Sequence, residues 1–165
     1  MEIYLLRHGD AVDRLTGGYT RDEERPLTEA GREEAQAAGE ALAGLGEGID
    51  LVLTSPLVRA AQTAEIAARI VRPERGPERC AALAPGGDPE EIVAAIVAAG
   101  ARGALLVGHM PDLGEFAGWL VWGQPEATLA LRTGGLCRIT TPRHPTPGSG
   151  DLRWLLPPKL LRRLG

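Results

Sequence analysis

Three short apolar runs, each stopping abruptly at small or polar residues, stand out along the chain. They are Ile3 to Leu6, Asp50 to Thr54 and Ala104 to Val107. Apolar runs of this length are typical of strands that are buried on both faces of a sheet. We therefore expect these three segments to be neighbouring, largely parallel strands.

Segments with helical spacing alternate with these strands. Thr28, Ser55 and Asp88 are each suited to cap a helix, because their side-chain oxygens can accept a bond from a free first-turn amide. Proline after Ser55 and after Asp88 supports this, since proline is favourable at the first helical position. In the first helix, one face is expected to pack inward through Ala35, Ala38, Leu42 and Leu45. The helices are predicted over 28–45, 55–72, 89–99, 112–122 and 157–164.

The remaining segments are assigned as connectors or edge strands. The polar stretch from Asp13 to Arg25 is predicted to be a surface loop, and Arg72 to Pro77 a connector. Cys80 to Leu83 is predicted to be a short strand or an extended segment. Further strands are expected at Leu129–Leu131, Leu136–Thr140 and Leu152–Leu156. Strands that alternate with helices predict an α/β fold. We expect a three-layer α/β/α sandwich with a mixed, mostly parallel sheet, formed by one domain over residues 1–165.

The balance of acidic and basic residues argues against one class of function. The net charge is −4, and 17 of the 18 basic residues are arginine. This balance argues against a general nucleic-acid binder, which would usually show a basic face. It is compatible with a local arginine pocket for one anion, because the planar guanidinium group suits phosphate oxygens.

Several other assignments follow from what the sequence lacks. Cys80 and Cys137 fit no metal or redox spacing, so both are read as small apolar packing residues. No apolar stretch has the length of a membrane span, and the N-terminus does not resemble a signal peptide. The expected location is the cytoplasm. The usual zinc spacings are absent, so no metal or cofactor is predicted.

The candidate chemistry lies at three strand-to-helix turns. Arg7 and His8 follow the first strand, Arg59 lies in the early turns of the helix after the second, and His109 follows the third. Ligands bind in open α/β sheets at the carboxyl ends of the strands. Arginines can hold phosphate oxygens, and a neutral imidazole can act as a nucleophile. Together these residues predict metal-free phosphoryl transfer.

The sequence resembles the histidine phosphatase superfamily, which includes the phosphoglycerate mutases, and within it the SixA-type phosphohistidine phosphatases. The resemblance is carried by the RHG at 7–9 and by segments in the same order over nearly the whole chain. These are YLLRHGDA (4–11), RPLTEAG (25–31), LVLTSPLVRAAQTAE (51–65), LLVGHMPDLG (105–114) and, more weakly, TGGLCRI (133–139) and LRWLLPPKLL (152–161).

The resemblance implies a fold similar to phosphoglycerate mutase and a role for each matching residue. His8 would be phosphorylated transiently, and Arg7, Arg59 and His109 would complete the phosphate pocket. Gly9 would orient the histidine ring, and Arg25 would help to bind substrate. The implied reaction has two steps, transfer to His8 and hydrolysis of phospho-His8, and it uses no metal.

One departure from the wider superfamily concerns the proton donor. Many members carry a glutamic acid after the second helix, but the matching stretch here, from Ala82 to Asp88, has none. The SixA-type branch also lacks it. Asp88 is better explained as a helix cap, and Asp10 either donates a proton or organises its turn. An imidazole leaves a phosphoramidate with little protonation, because its pKa is near neutral.

These considerations favour a phosphatase that acts on phosphohistidine of a partner protein. Two alternatives stay open: a phosphatase of small phosphate esters or sugar phosphates, and a module that binds a phosphorylated ligand without turnover.

Overall fold

The structure, a computed structural model, describes residues 1–124 and 126–164. Its sheet contains six strands, and five helices flank that sheet. The strands are β1 (Glu2–Arg7), β2 (Leu51–Thr54), β3 (Arg75–Arg79), β4 (Gly103–Gly108), β5 (Leu136–Thr140) and β6 (Asp151–Leu156). The helices are α1 (Glu29–Gly44), α2 (Val58–Val71), α3 (Pro89–Ala99), α4 (Asp112–Trp122) and α5 (Pro158–Leu164).

The strands lie in the order β3-β2-β4-β1-β5-β6. The four strands from β3 to β1 are parallel, and β5 is antiparallel to both β1 and β6. The predicted mixed, mostly parallel α/β fold is therefore confirmed. The three apolar runs of the sequence are the adjacent strands β2, β4 and β1.

Alternate residues of the central strands pack into two separate cores, one on each face of the sheet. In β1, Ile3 and Leu5 face α3 and α4, whereas Tyr4 and Leu6 face α1, α2 and α5. These four side chains are nearly or fully buried. The two cores explain why β1 is apolar throughout, since a strand with helices on both faces has no solvent side.

The helix caps agree in part with the prediction. Thr28 accepts a hydrogen bond from the amide of Gly31, and Asp88 accepts one from the amide of Glu90. The predicted cap at Ser55 is wrong, because α2 begins only at Val58. Residue 57 is still extended, and the amide of Ser55 continues the sheet by bonding to Val107.

One predicted core position of α1 is also wrong. Leu45 is 45% exposed, whereas the other three residues predicted on its face are buried. Leu45 follows the last residue of α1 as its C-cap, so the helical spacing that placed it on the inner face no longer applies. Of the two cysteines, Cys137 is buried and Cys80 is half-buried against the same core.

Two strand assignments are corrected. The strand predicted within 80–83 lies earlier, at Arg75–Arg79, where a connector was expected, and Ala81–Leu83 form a short 3-10 turn. The strand predicted at Leu129–Leu131 is an irregular segment. The carbonyl of Leu131 accepts a bond from the Arg7 side chain. In the described part of the chain, no helix is long and apolar enough to cross a membrane.

Candidate active site

Two histidines, His8 and His109, directly follow two neighbouring strands at the same edge of the sheet. β1 and β4 pair in register up to Arg7 and Gly108, so the next residue on each strand is a histidine. The ring centroids of His8 and His109 are 5.0 Å apart, with the planes inclined at 55°. The parallel register thus brings together two turns that are about a hundred residues apart in sequence.

Hydrogen bonds fix the orientation of the His8 ring. Its Nδ1 lies 2.7 Å from the carbonyl oxygen of Gly9. A carbonyl can only accept, so Nδ1 carries the hydrogen and Nε2 presents its lone pair. The Nε of Arg59 donates to this Nε2 at 3.3 Å. The reactive nitrogen of His8 therefore points at a cation that can hold an anionic group.

Both imidazoles are neutral at physiological pH. Burial lowers the pKa of His8 to about 4, and the charges of Arg59 and Arg7 act in the same direction. Burial likewise lowers the pKa of His109 to about 3, helped by His8 and Arg59. A neutral ring is the form in which histidine can attack phosphorus.

Arg59 lies in the first turn of α2 and is buried. Its two terminal nitrogens both donate to Asp22 in the predicted surface loop, one to the backbone carbonyl at 2.8 Å and the other to the carboxylate at 2.9 Å. Burial acts to raise the pKa of Asp22, but Arg59 and Arg25 outweigh it and lower that pKa. The pocket therefore already stabilises one anionic group.

Arg25 reaches the site through the same carboxylate. Its Nε donates to Asp22 Oδ1 at 2.8 Å, and its terminal nitrogen donates to the carbonyl of Val12 at 2.9 Å. Asp22 thus bridges Arg25 and Arg59. The predicted surface loop covers the site from this side and contains a short 3-10 turn, Asp22–Glu24.

Arg7 and His109 each retain one buried nitrogen that has no hydrogen-bond partner in the described residues, Nε of Arg7 and Nδ1 of His109. Arg7 otherwise donates to the carbonyl of Leu131 at 2.9 Å. The Nε2 of His109 lies 2.8 Å from the hydroxyl of Ser55. Buried polar groups are normally paired, so both nitrogens are well suited to meet the oxygens of a bound anion.

Gly9 is held where its backbone passes close to α1. A Cβ at Gly9 would lie 2.3 Å from the carbonyl oxygen of Gly31, which excludes a larger residue. The amide of Gly9 donates to the hydroxyl of Thr63 at 3.1 Å, and that hydroxyl donates to the carbonyl of Arg59 at 2.8 Å. One threonine on α2 therefore links the histidine turn to the arginine.

The two carboxylates considered as proton donors are both bound elsewhere. Asp10 accepts a bond from the hydroxyl of Thr28 at 2.8 Å, which fits the turn-organising alternative of its two predicted roles. Asp88 caps α3 through the amide of Glu90. Within residues 1–124 and 126–164, no group of three or more potential ligands could hold a metal ion.

Sequence reasoning missed three residues of this arrangement: Asp22, Thr63 and Ser55. Thr63 could have been found, because it is four residues after Arg59 and such neighbours share a helix face. Asp22 lies in a loop without periodicity, so its position carried no comparable signal. Ser55 was assigned to the wrong partner, since its hydroxyl meets His109 and not a helical first turn.

The chain is similar to proteins of the histidine phosphatase superfamily. The family profile of the histidine phosphatase superfamily (branch 1) matches residues 3–78. An uncharacterised protein of Picosynechococcus sp. is 41% identical over 140 residues, which is 82% of each chain. The phosphohistidine phosphatase SixA of Escherichia coli is 29% identical, over 96% of this chain and 94% of its own. A solved structure of the protein histidine phosphatase SixA complexed with tungstate is 28% identical, with a TM-score of 0.82 over 98% of this chain and 99% of that one.

Proposed function

From the premise that this chain belongs to the histidine phosphatase superfamily (branch 1), we propose that it removes phosphate from phosphohistidine on a partner protein. The similarity to SixA over nearly the full length supports this substrate class. The proposal rests above all on one observation. His8 presents a neutral Nε2 beside Arg59, while its Nδ1 is bound to the carbonyl of Gly9.

In the first step, Nε2 of His8 attacks the phosphorus of the substrate in line with the scissile bond. The P–N bond to the substrate breaks while a P–N bond to His8 forms. If the substrate ring is protonated on its other nitrogen, it leaves as neutral imidazole. The positive charge then resides on the ring of His8, where the Gly9 carbonyl at Nδ1 stabilises it.

In the second step, water attacks the phosphorus of phospho-His8. The P–N bond to His8 breaks, and its electron pair returns to Nε2. Both protons of the water leave on the phosphate, as dihydrogen phosphate, which then ionises into solvent. His8 regains the neutral form with which it began, and neither step needs a metal ion or a cofactor.

The lack of a glutamic acid in the stretch from Ala82 to Asp88 favours phosphohistidine over an ester. In the first step the attacking and leaving nitrogens are both imidazoles, so their basicities are similar and no separate proton donor is required. An alkoxide is far more basic and would need a positioned acid. Asp10 and Asp88, the two candidates for that acid, are engaged with Thr28 and with the first turn of α3.

The other predicted site residues bind the phosphoryl oxygens or hold the nucleophile. Arg7 and Arg59 neutralise the charge on the oxygens, which is where phosphoryl transfer needs stabilisation, and the neutral ring of His109 donates a hydrogen bond to one of them. Gly9 orients the ring of His8. Arg25 lies at the outer side of the pocket, where it forms an ion pair with Asp22, whose carboxylate is also bound by Arg59.

Replacing His8 tests the proposal directly. His8→Ala should lower kcat for a phosphohistidine protein by at least about 1,000-fold, because the nucleophile acts in both steps. The wild type should form an acid-labile phosphate adduct that His8→Ala does not form. Rapid-quench mass spectrometry of the intact protein measures that adduct.

His144→Ala is the matched control, since His144 is exposed; its turnover should equal that of the wild type. Retained hydrolysis in His8→Ala would end the proposed mechanism. Tight phosphate binding without turnover or adduct would indicate a binding module instead. A kcat/KM that is higher for a sugar phosphate or an aryl ester than for phosphohistidine would assign the enzyme to small esters.

A further inference from the structure

A cavity adjoins Arg7, and its lining includes none of His8, Arg59 and His109. It has a volume of about 680 Å³, and its lining includes Arg7, Glu34, Arg132, Lys159 and Arg162. We call this cavity the cationic groove. Its cations come from β1, from the segment before β5, and from the C-terminal helix α5.

The charge of the groove is opposite to that of the molecule. Four cations line it against one acid, whereas the whole chain has a net charge of −4. Arg132, Lys159 and Arg162 are exposed, and none of the three forms an ion pair with another described residue. Unpaired like charges repel one another, so folding does not explain why they are gathered here.

The one acid of the groove is engaged in the turn after the nucleophile. Glu34 accepts a hydrogen bond from the amide of Asp10 at 2.9 Å. The single negative charge of Glu34 offsets at most one of the four cations, so the groove keeps an excess of positive charge.

The groove is continuous with the phosphate pocket through Arg7. A terminal nitrogen of Arg7 donates to Leu131, and the Arg7 amide donates to Gly135. The amide of Gly134 donates in turn to the carbonyls of Arg7 and His8. The segment that carries Arg132 is thus tied to the turn of His8, and Arg7 belongs both to the proposed phosphate pocket and to the groove.

We propose that the cationic groove binds acidic side chains that flank the phosphohistidine on the partner protein. This inference rests on the proposed function and names the surface chemistry of its substrate. Besides Thr133, Pro157 and Pro158, the groove is lined by one acid and by four cations from separate elements. Such a local excess of positive charge suits electrostatic recognition of an acidic surface on another protein.

Two phosphohistidine peptides that differ only in their flanking residues, glutamate in one and glutamine in the other, test the groove. The wild type should hydrolyse the glutamate peptide with a kcat/KM about 10-fold higher, mainly through a lower KM. This ratio should shrink at high salt, which screens exposed charges. In Arg132→Glu/Arg162→Glu the ratio should fall to about one or below. The milder Arg132→Gln/Arg162→Gln should change it in the same direction by less.

Arg143→Glu is the matched control. Arg143 is exposed and lies beside Met1 and Arg102, next to the amino ends of β1 and β4 and therefore at the opposite edge of the sheet. It should keep the wild-type ratio. Equal kcat/KM for the two peptides in the wild type, or an unchanged ratio in Arg132→Glu/Arg162→Glu, would overturn the inference.

Failure of the proposed function is recognised separately. If the wild type hydrolyses phosphoramidate but neither peptide, the phosphohistidine assignment is wrong. In that case, the inference about the groove is tested by measuring whether the unphosphorylated peptides inhibit the hydrolysis of phosphoramidate. Competitive inhibition by the glutamate peptide alone, lost in Arg132→Glu/Arg162→Glu, supports the groove. No inhibition, or equal inhibition by both peptides, refutes it.

Discussion

His8 and His109 occupy positions that disfavour their own protonation. Burial is the main cause in both, and the neighbouring arginines add to it. The same two factors that keep His8 neutral also favour binding of an anion, because a desolvated arginine binds an anion more strongly than an exposed one. In the proposed mechanism, catalysis and phosphate binding therefore depend on the same few buried contacts.

This arrangement predicts how stability depends on pH. The folded protein holds His8 neutral down to a pKa of about 4, whereas the unfolded chain takes up a proton near pH 6.5. Between these values the unfolded state binds more protons, so the free energy of unfolding falls as the pH is lowered. His8 alone accounts for a fall of about 3 kcal/mol across this window. Urea denaturation at a series of pH values measures it.

A variant without the two buried imidazoles separates this effect from the titration of carboxylates. His8→Gln/His109→Gln should lose most of the pH dependence between about pH 6.5 and 4. His144→Gln, at an exposed position, should retain it. If the three proteins show the same dependence on pH, the buried histidines are not its source.

At the scale of elements, the close approach of α1 to the turn after β1 positions His8, the proposed nucleophile. A Cβ at Gly31 would lie 2.0 Å from the carbonyl oxygen of Asp10. The amide of Thr28 also donates to that oxygen at 3.0 Å. The first turn of α1 and residues 9–10 therefore touch backbone to backbone, and neither can shift without the other.

Gly31→Ala should accordingly damage both folding and activity. The added methyl group must push α1 away from Asp10, which destabilises the protein by about 1–3 kcal/mol. It should lower kcat/KM by at least about 10-fold, because small displacements of catalytic groups are costly. Chemical denaturation and steady-state kinetics measure the two effects.

Gly44→Ala, at the other end of the same helix, is the matched control. Its Cβ would have no atom nearer than 3.5 Å. The same substitution there should leave activity unchanged and stabilise the helix by about 0.5 kcal/mol. Equal effects of the two substitutions would mean that the contact with Asp10 is unimportant.

The sequence predicted the strands whose hydrophobic pattern results from burial on both faces of the sheet. It did not predict the strand that forms only through backbone hydrogen bonds to a neighbouring strand. β1, β2 and β4 are apolar because helices cover both of their faces, so their positions could be read directly. β3 has the sequence RGPER and every residue of it is exposed. It is a strand only because its backbone pairs with β2, and edge positions tolerate its proline.

Long-range partners explain the remaining errors. Leu129 to Leu131 has an apolar pattern suited to a strand, but the carbonyl of Leu131 is bound by the Arg7 side chain. Ser55 is a residue type that often caps helices, and its hydroxyl does accept a bond from the amide of Leu57. Leu57 precedes α2, however, and the same hydroxyl meets His109 across the sheet edge. At both positions a partner that is distant in sequence binds a group for which the local pattern predicted a local partner.

At the scale of the whole molecule, the order of strands and helices along the chain allowed the proposed phosphate pocket to be predicted but gave no indication of the cationic groove. His8, Arg59 and His109 follow strands whose parallel order could be inferred. Apart from Arg7, the cations of the groove come from α5 and from an irregular segment. Their meeting depends on the packing of α5 against α1. A seven-residue helix is marginal on its own, so its position depends on that packing.

Leu161 is the residue of α5 through which this dependence can be tested. It is fully buried in the core formed with α1 and α2, whereas Leu160 beside it is 44% exposed. Leu161→Ala should destabilise the protein by about 2–4 kcal/mol, and Leu160→Ala by less than about 1 kcal/mol. Urea denaturation measures both, and hydrogen exchange should show faster exchange of the α5 amides in Leu161→Ala. Equal losses in the two variants would contradict the view that burial of Leu161 holds α5, and with it Lys159 and Arg162, beside the site.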